Sequence, residues 1–179
     1  MLTDSIKSQI EKELSVLVGT RIRQIRRAAL MIGISFGDDI EHTYATGPRQ
    51  GEVELLPKYV MHIHSSWRLI KNDDICLAQS EMFNRIIDGC FKIYKYEDEV
   101  AIDSVPFIEI SKELNKAFET KVIRVTKVEA NELGDLRIHM EEGYYLELFV
   151  DSVGNIESWR FFSNESETHF VIFDEAEDT

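Results

Sequence analysis

One order of features occurs twice in this chain, the second time about 100 residues after the first. In each stretch, an apolar helical stripe is followed by two strands and then by a third strand that starts at a tyrosine. Each stretch then reaches a Trp-Arg pair, Trp67-Arg68 in the first and Trp159-Arg160 in the second. A repeated order is typical of a copied supersecondary unit. The sequence therefore predicts an α+β fold with internal duplication of a helix followed by antiparallel strands, the two similar halves packed together.

Both helices are predicted from apolar residues at helical spacing. The first begins at an Asp4 or Ser5 cap, runs to about Val18 and stops at Gly19, and its stripe is Ile6, Ile10, Leu14 and Leu17. The second runs from about Phe107 to Phe118, just after Pro106, with Ile110 and Leu114 on the same face. The alignment at an offset of 100 continues into the next strand; it matches Ile10 with Ile110, Glu13 with Glu113, Leu14 with Leu114, Thr20 with Thr120, Ile22 with Val122 and Ile25 with Val125.

The later strands are predicted from alternation of apolar and polar residues. The second strand of each half lies at Leu30–Phe36 and at Leu136–Met140. The third strand of the first half runs from Tyr59 to Leu69, with one apolar face and one polar face. Its counterpart, Tyr145–Val150, is interrupted by a turn at 151–155 and resumes at 157–162.

These elements divide the chain into two repeats. Residues 1–92 form the first helix-plus-sheet repeat, with a loop insertion at 38–58 that contains Gly47-Pro48 and Gly51. Residues 93–106 form a connecting segment, and residues 107–179 form the second repeat with an acidic C-terminal tail. Within residues 84–103 the pattern fits a helix or a strand, and the element type there stays open.

The segment Tyr59–Leu69, with the sequence YVMHIHSSWRL, is similar to a strand motif in a family of small uncharacterised bacterial proteins. The segments 134–138 and 146–162 resemble later parts of that family, so the resemblance spans most of the chain. It implies a bacterial cytosolic protein whose motifs are structural, and it implies no named reaction. The chain departs from the family at His64-Ser65-Ser66, where a stretch with cysteine or proline is expected.

The overall charge argues against several classes of partner. The 179 residues include 20 Lys and Arg against 33 Asp and Glu, a net charge of −13. Nucleic acid and anionic membranes attract dense positive charge, so neither is an expected partner. No apolar run approaches the ~20 residues of a membrane span, and the N-terminus lacks a signal-peptide core. Two cysteines without a disulfide framework indicate a reducing cytoplasm.

Negative charge is concentrated in the later part of the chain. Residues 1–50 contain seven Lys and Arg against six acids, a balance of +1, which leaves −14 for residues 51–179. Uneven charge indicates either an interaction surface or solubility charge with a frayed acidic tail. In the first interpretation, the second half is the natural contact surface.

No pattern in the chain matches a catalytic, cofactor or metal motif, and we predict no residue and no cofactor for such a role. His62 and His64, with His139 or an acid, are the nearest approach to a metal site, but a polar strand surface is the favoured interpretation. Cys76 and Cys90 lack a Cys-x-x-Cys spacing and are expected to be structural thiols. Adjacent carboxylates are expected in solvated turns; they are Asp38-Asp39, Asp73-Asp74 and Glu141-Glu142.

Basic residues are concentrated in the segment Arg21–Arg27. Arg21 and Arg23 share one predicted strand face, where they either clamp a phosphate or pair with acids of a neighbouring strand. Ion pairing is the favoured interpretation, because no glycine-rich loop accompanies these arginines.

The two Trp-Arg pairs also have two interpretations. Trp67 and Trp159 are expected to anchor the core, with Arg68 or Arg160 holding a neighbouring strand by an ion pair. The alternative is an exposed Trp and Arg cluster at the centre of a binding surface. Recurrence at matched positions favours the structural role.

Three functional hypotheses follow from these features. The favoured one is a non-enzymatic acidic protein-binding module, and its sharpest version is an immunity-like inhibitor of a basic toxin. The second is a small-molecule or metal-dependent enzyme with a site between the two halves, built from His62, His64, Arg68 and carboxylates. The third is a homo-oligomeric assembly module, such as a homodimer that pairs through a sheet edge.

Overall fold

The computed structural model describes residues 5–87, 90–93, 106–152, 156–166 and 169–172. Two α-helices lie in these ranges, α1 (Ile6–Leu14) and α2 (Pro106–Thr120). The strands in these ranges are β1 (Ile22–Ala28), β2 (Met31–Thr43), β3 (Val53–Ile63), β4 (Ser66–Lys71), β5 (Asp74–Ala78), β6 (Asn84–Ile87), β7 (Cys90–Ile93), β8 (Val125–Ala130), β9 (Leu136–Met140), β10 (Tyr144–Phe149), β11 (Trp159–Ser163) and β12 (His169–Ile172).

Ten of these strands form two antiparallel sheets. The strand order is β1-β2-β3-β11-β12 in sheet I and β8-β9-β10-β4-β5 in sheet II. In both sheets, three consecutive strands are followed by a hairpin from the other part of the chain. Strands β6 and β7 pair with each other as a separate hairpin. The predicted α+β class with antiparallel sheets is therefore confirmed, and most of the structure is β.

The strand predicted from Tyr59 to Leu69 is two strands in different sheets. Strand β3 ends at Ile63 in sheet I, and β4 begins at Ser66 in sheet II. The chain changes sheets here because the N–H groups of His64 and Ser65 both donate to the carbonyl of Ser158, at 2.9 and 3.0 Å. That prediction was wrong, because the alternation of apolar residues continues unbroken through the change of sheet.

Each helix is attached to the strand that opens the other part of the chain. Helix α2 lies against β1, where the Asn115 side chain accepts from the Ile25 N–H at 2.8 Å and donates to the Ile25 carbonyl at 2.9 Å. Helix α1 lies against β8, where the Glu11 carboxylate accepts from the Ala130 N–H at 3.1 Å. The side chain of Ser5 caps α1, and Gly19, at a φ of +85°, follows the helical segment as predicted.

A single core is built from both sheets and both helices. The predicted stripe of α1 is buried at Ile10, Leu14 and Leu17. The alternating residues of β2 and β9 are also buried, namely Ile32, Ile34, Phe36, Leu136, Ile138 and Met140. Trp67 and Trp159 belong to the same core, as expected from the sequence.

The structure corrects the strand alignment at an offset of 100. Strand β8 begins at Val125, whereas Val122 lies outside the strand and is half-exposed. The residues that precede the two opening strands, Arg21 and Arg124, face each other in an isolated antiparallel bridge. The two opening strands begin 103 residues apart, at Ile22 and Val125, so an offset of 100 does not align their starts.

The structure also corrects the loop predicted at 38–58. Residues 38–43 continue β2 and residues 53–58 begin β3, so the insertion is a long hairpin. In the segment left open at 84–103, residues 84–87 and 90–93 are strands. The connecting residues 94–105 and the acidic tail from 173 onward lie outside the described residues.

Candidate functional site

The hairpin at residues 38–58, here called the arm, extends beyond the neighbouring strands of sheet I. Strand β1 pairs with β2 as far as Phe36, and β11 pairs with β3 as far as Tyr59. Beyond these points, β2 and β3 pair only with each other, through to Thr43 and Val53. Among the described residues, both outer edges of the arm are therefore without a paired strand.

A bulge in β2 marks the start of the arm. The register with β3 shifts between Phe36 and Asp39, and Gly37 there has a φ of +81°. The Gly37 N–H donates to the Arg21 carbonyl at 2.8 Å. A Cβ at Gly37 would lie 3.2 Å from the Cβ of Lys58, so glycine suits both the dihedral angle and the space.

The base of the arm is held by the turn between β11 and β12. The Asn164 side chain donates to the Pro57 carbonyl at 2.6 Å, and its backbone N–H donates to the Lys58 carbonyl at 2.9 Å. The Asn164 carbonyl lies 3.0 Å from Nδ1 of His42. Lys58 also pairs with Glu165 at 2.9 Å. These contacts fix the direction of the arm relative to sheet I.

A cluster of polar and aromatic side chains orders the tip of the arm. The Tyr44 hydroxyl donates to Glu54 at 2.6 Å, and this hydrogen bond, with a second from Arg49, holds the pKa of Glu54 below its ordinary value. The Arg49 guanidinium lies 4.2 Å from the centre of the Tyr44 ring and pairs with Glu52 at 2.8 Å. The tip is thus a structured turn, although its glycines and proline suggested a loop.

One face of the arm exposes apolar side chains. Val53 and Leu55 are 61% and 64% exposed. They are two residues apart on one strand and share a face with their register partners Thr43 and Glu41. The arm contains five carboxylates against Arg49 and Lys58 alone. The result is an acidic hairpin with an apolar stripe.

A cavity of about 450 Å³ lies where the arm meets β1. Arg21, Arg23 and Arg26 line it together with Gln24, Ser35, Asp39, Leu55, Pro57 and Glu119. Arg21 and Arg23, which the sequence places on one strand face, line the same cavity, and Arg26 joins them.

Two of these arginines have partners within the protein. Arg23 pairs with Asp39 of the neighbouring strand at 2.6 Å, which confirms the predicted ion pairing. Arg21 donates from Nη2 to the Phe118 carbonyl at 2.9 Å, in the last turn of α2. The Nε of Arg21 is buried and has no hydrogen-bond partner among the described residues. An unpaired buried donor costs about 1–3 kcal/mol, so the guanidinium is only partly satisfied.

On the non-core face of sheet II, an acid is held between two arginines. Glu147 is 4% exposed and accepts hydrogen bonds from Arg68 and Arg137 on the two adjacent strands. Burial alone would raise the pKa of Glu147, but the two guanidinium groups outweigh it and lower the pKa. Arg68 thus holds a neighbouring strand by an ion pair, as one interpretation of the Trp-Arg pairs predicted.

The three histidines considered for a metal site are not brought together. His62 lies in register with Arg160 on sheet I, and its ring lies 5.0 Å from the Phe162 ring. His64 lies 3.4 Å from Glu157, and His139, on sheet II, lies 2.6 Å from Glu129. Within the described part of the chain, no group of three or more His, Cys, Asp or Glu is placed to hold a metal ion.

A comparison with protein-family models found no match, and comparisons with curated proteins and with solved structures found none either. In the ranges that the structure describes, none of the helices has the length and apolar character needed to cross a membrane.

The remaining candidate residues are the cysteines and the adjacent carboxylates. Burial raises the pKa of the Cys76 thiol, which disfavours the reactive thiolate, and the side chain of Cys90 lies outside the described part. Asp73 lies in the predicted turn between β4 and β5, at a φ of +69°. Glu141 accepts from the Arg124 N–H at 3.0 Å, and Glu142 pairs with Lys121 at 3.2 Å.

We expect the half-buried His62 ring to give folding stability a pH dependence. Burial lowers the pKa of His62 below its ordinary value of 6.5, and the Arg160 guanidinium lowers it further. The folded chain then binds fewer protons than the unfolded chain just below that pH, so the free energy of unfolding decreases as the pH falls there. Urea denaturation at about pH 7.5 and about pH 5.5 should show a larger loss for the wild type than for His62→Gln. Equal losses in both proteins would show that His62 makes no such contribution.

Proposed function

We propose that this chain is a non-enzymatic protein-binding module and that the arm is its contact surface. The proposal depends on one observation: Val53 and Leu55 are exposed side by side on a hairpin that pairs with no other strand in the described part of the chain. Exposed apolar side chains on an ordered, projecting element are typical of protein interaction sites. Because Asn164 and the tip cluster already fix the arm, little conformational entropy is lost on binding.

Charge complementarity favours a basic partner. The arm carries five carboxylates against two cations, within a chain of net charge −13. Opposite charge accelerates the association of two proteins and selects against wrong partners. The sharpest form of the proposal is an immunity-like inhibitor of a basic toxin in a bacterial cytoplasm. The arm is a better candidate than the acidic second half because its exposed apolar side chains, Val53 and Leu55, lie side by side on one acidic hairpin.

We also infer that residues 1–92 and 107–179 derive from one copied unit and exchange their Trp-Arg hairpins. The identical strand order of the two sheets supports this inference. So does the placement of the tryptophans, since β4 and β11 each follow the third strand of their own part and each join the other sheet. The helices are exchanged in the same way, since each packs on the opening strand of the other part.

Affinity capture from the source bacterium, with the wild type and a Val53→Glu/Leu55→Glu double variant, tests the proposal. The double variant should retain at most about a tenth of the captured partner, because loss of a hot-spot contact costs about 2 kcal/mol or more. Leu133→Glu is the matched control, since Leu133 is 68% exposed in a turn of sheet II and should leave capture unchanged.

Two results would contradict the proposal or its charge argument. Undiminished capture by the double variant would exclude the arm as the contact surface. Capture that is insensitive to salt between low and high concentration would remove the charge argument. A second copy as partner would appear as a concentration-dependent dimer in sedimentation, and the double variant would then sediment as a monomer.

A further inference from the structure

The cavity beside β1 has a chemistry that neither the core nor the arm requires. Arg21, Arg23 and Arg26 bring three guanidinium groups to one place in an otherwise acidic protein. Asp39 neutralises Arg23, and Glu119 is the other acid in the lining, so the lining keeps one excess positive charge. An excess of positive charge in a concave site raises the local concentration of anions.

Arg26 is the arginine with the most capacity for a ligand. It is exposed, and within the described ranges no hydrogen bond or ion pair joins its side chain to another residue. Arg21 uses Nη2 on the Phe118 carbonyl, and its enclosed Nε has no partner among the described residues. Guanidinium groups bind phosphate through paired N–H donors, which gives geometric specificity as well as charge.

We propose that this cavity binds the phosphate group of a small phosphorylated molecule that also has an apolar portion. Arg21 and Arg26 supply the charge, and Gln24 and Ser35 supply neutral hydrogen-bonding groups beside them. The volume of about 450 Å³ exceeds what a bare phosphate fills, and Leu55 and Pro57 form an apolar wall for the rest of the ligand. The cavity shares Leu55 with the proposed contact surface of the arm, but a small molecule tests it without the protein partner.

Titration followed by amide chemical shifts tests the proposal on the full chain. The probes are phenyl phosphate, inorganic phosphate and benzoate. Phenyl phosphate should bind saturably and shift the amides of β1 and of residues 35–39, and inorganic phosphate should bind the same residues more weakly. Arg26→Gln should weaken the binding of phenyl phosphate by about tenfold or more, as expected for a lost charge-assisted hydrogen bond.

The control variant is Lys7→Gln, which removes the same charge from the exposed face of α1. It should leave the affinity within about twofold of wild type, because a distant exposed charge is screened. Equal weakening by both variants would show diffuse electrostatics instead of a site. Shifts scattered over the surface without saturation, or benzoate binding as tightly as phenyl phosphate, would overturn the assignment.

Discussion

Trp159→Ala is expected to lower the free energy of unfolding by about 3–5 kcal/mol, the range for removing a large aromatic side chain from a core. The Trp159 side chain is fully buried, and its ring centre lies 6.1 Å from that of Phe170. Its Nε1–H donates to the Gly134 carbonyl at 3.1 Å, so truncation also leaves that carbonyl without its donor. Because Gly134 precedes β9, this side chain joins a strand of sheet I to sheet II.

Urea denaturation, with the same slope assumed for both proteins, measures this effect. Trp159→Phe is the informative companion, because it keeps most of the buried apolar surface and loses the hydrogen bond; it should cost less than the alanine variant. Leu133→Ala, at an exposed turn position, should change stability by no more than about 0.5 kcal/mol. An alanine variant at position 159 as stable as that control would contradict the assignment of Trp159 to the core.

Separation of the chain into residues 1–100 and 101–179 is expected to abolish cooperative folding of both segments as monomers. Alone, the first segment has β4 and β5 without β10, their neighbour in sheet II. The second segment has β11 and β12 without β3, their neighbour in sheet I. Each segment also loses the helix that packs on its opening strand. Too little apolar surface is then buried to offset the entropy of folding.

Circular dichroism with urea, together with one-dimensional NMR, measures the result. Each segment alone should lack a cooperative transition and dispersed amide signals, and an equimolar mixture should recover both. The intact chain carrying a protease site between the same residues, cut after folding, is the control and should stay folded. A dispersed monomeric spectrum from either segment alone would contradict the exchange of hairpins between the two parts.

Elements with local periodicity were predictable from the sequence. The stripe of α1 is buried as expected, and the strand at Leu136–Met140 has the predicted limits. The turn predicted at Asp73-Asp74 is found one residue earlier, at Asn72 and Asp73, and Asp74 already begins β5. Both turn residues adopt positive φ, which Asn and Asp tolerate best after glycine. In these segments, the residue pattern directly reports which side of an element faces the core.

Long-range pairing could not be predicted in this way. The apolar alternation continues from Ile63 to Trp67 although the chain changes sheets between them. The reason is that the odd-numbered residues of both strands face the common core. The break depends on the Ser158 carbonyl, which is almost a hundred residues away along the chain. Glycine and proline near the tip indicated a loop at 38–58, whereas pairing of Thr43 with Val53 makes it a hairpin.

In the candidate sites, too, local spacing was predictable from the sequence and long-range contacts were not. That Arg21 and Arg23 lie on the same side of the chain was predictable from their spacing on one strand. The apolar wall at Leu55 and the acid at Glu119 come from distant parts of the chain, so no sequence pattern indicated a cavity. The exposed apolar face of Val53 and Leu55 was missed because the sequence prediction placed both residues in a loop, whereas they lie at the start of β3.

Hydrogen exchange on the complex with the partner that capture identifies tests the central claim most directly. Amides at residues 38–43 and 53–58 should exchange more slowly in the complex than in the free chain, and those of β8, β9 and β10 should exchange at unchanged rates. Slower exchange confined to sheet II, with the hairpin unaffected, would contradict an arm-mediated interaction.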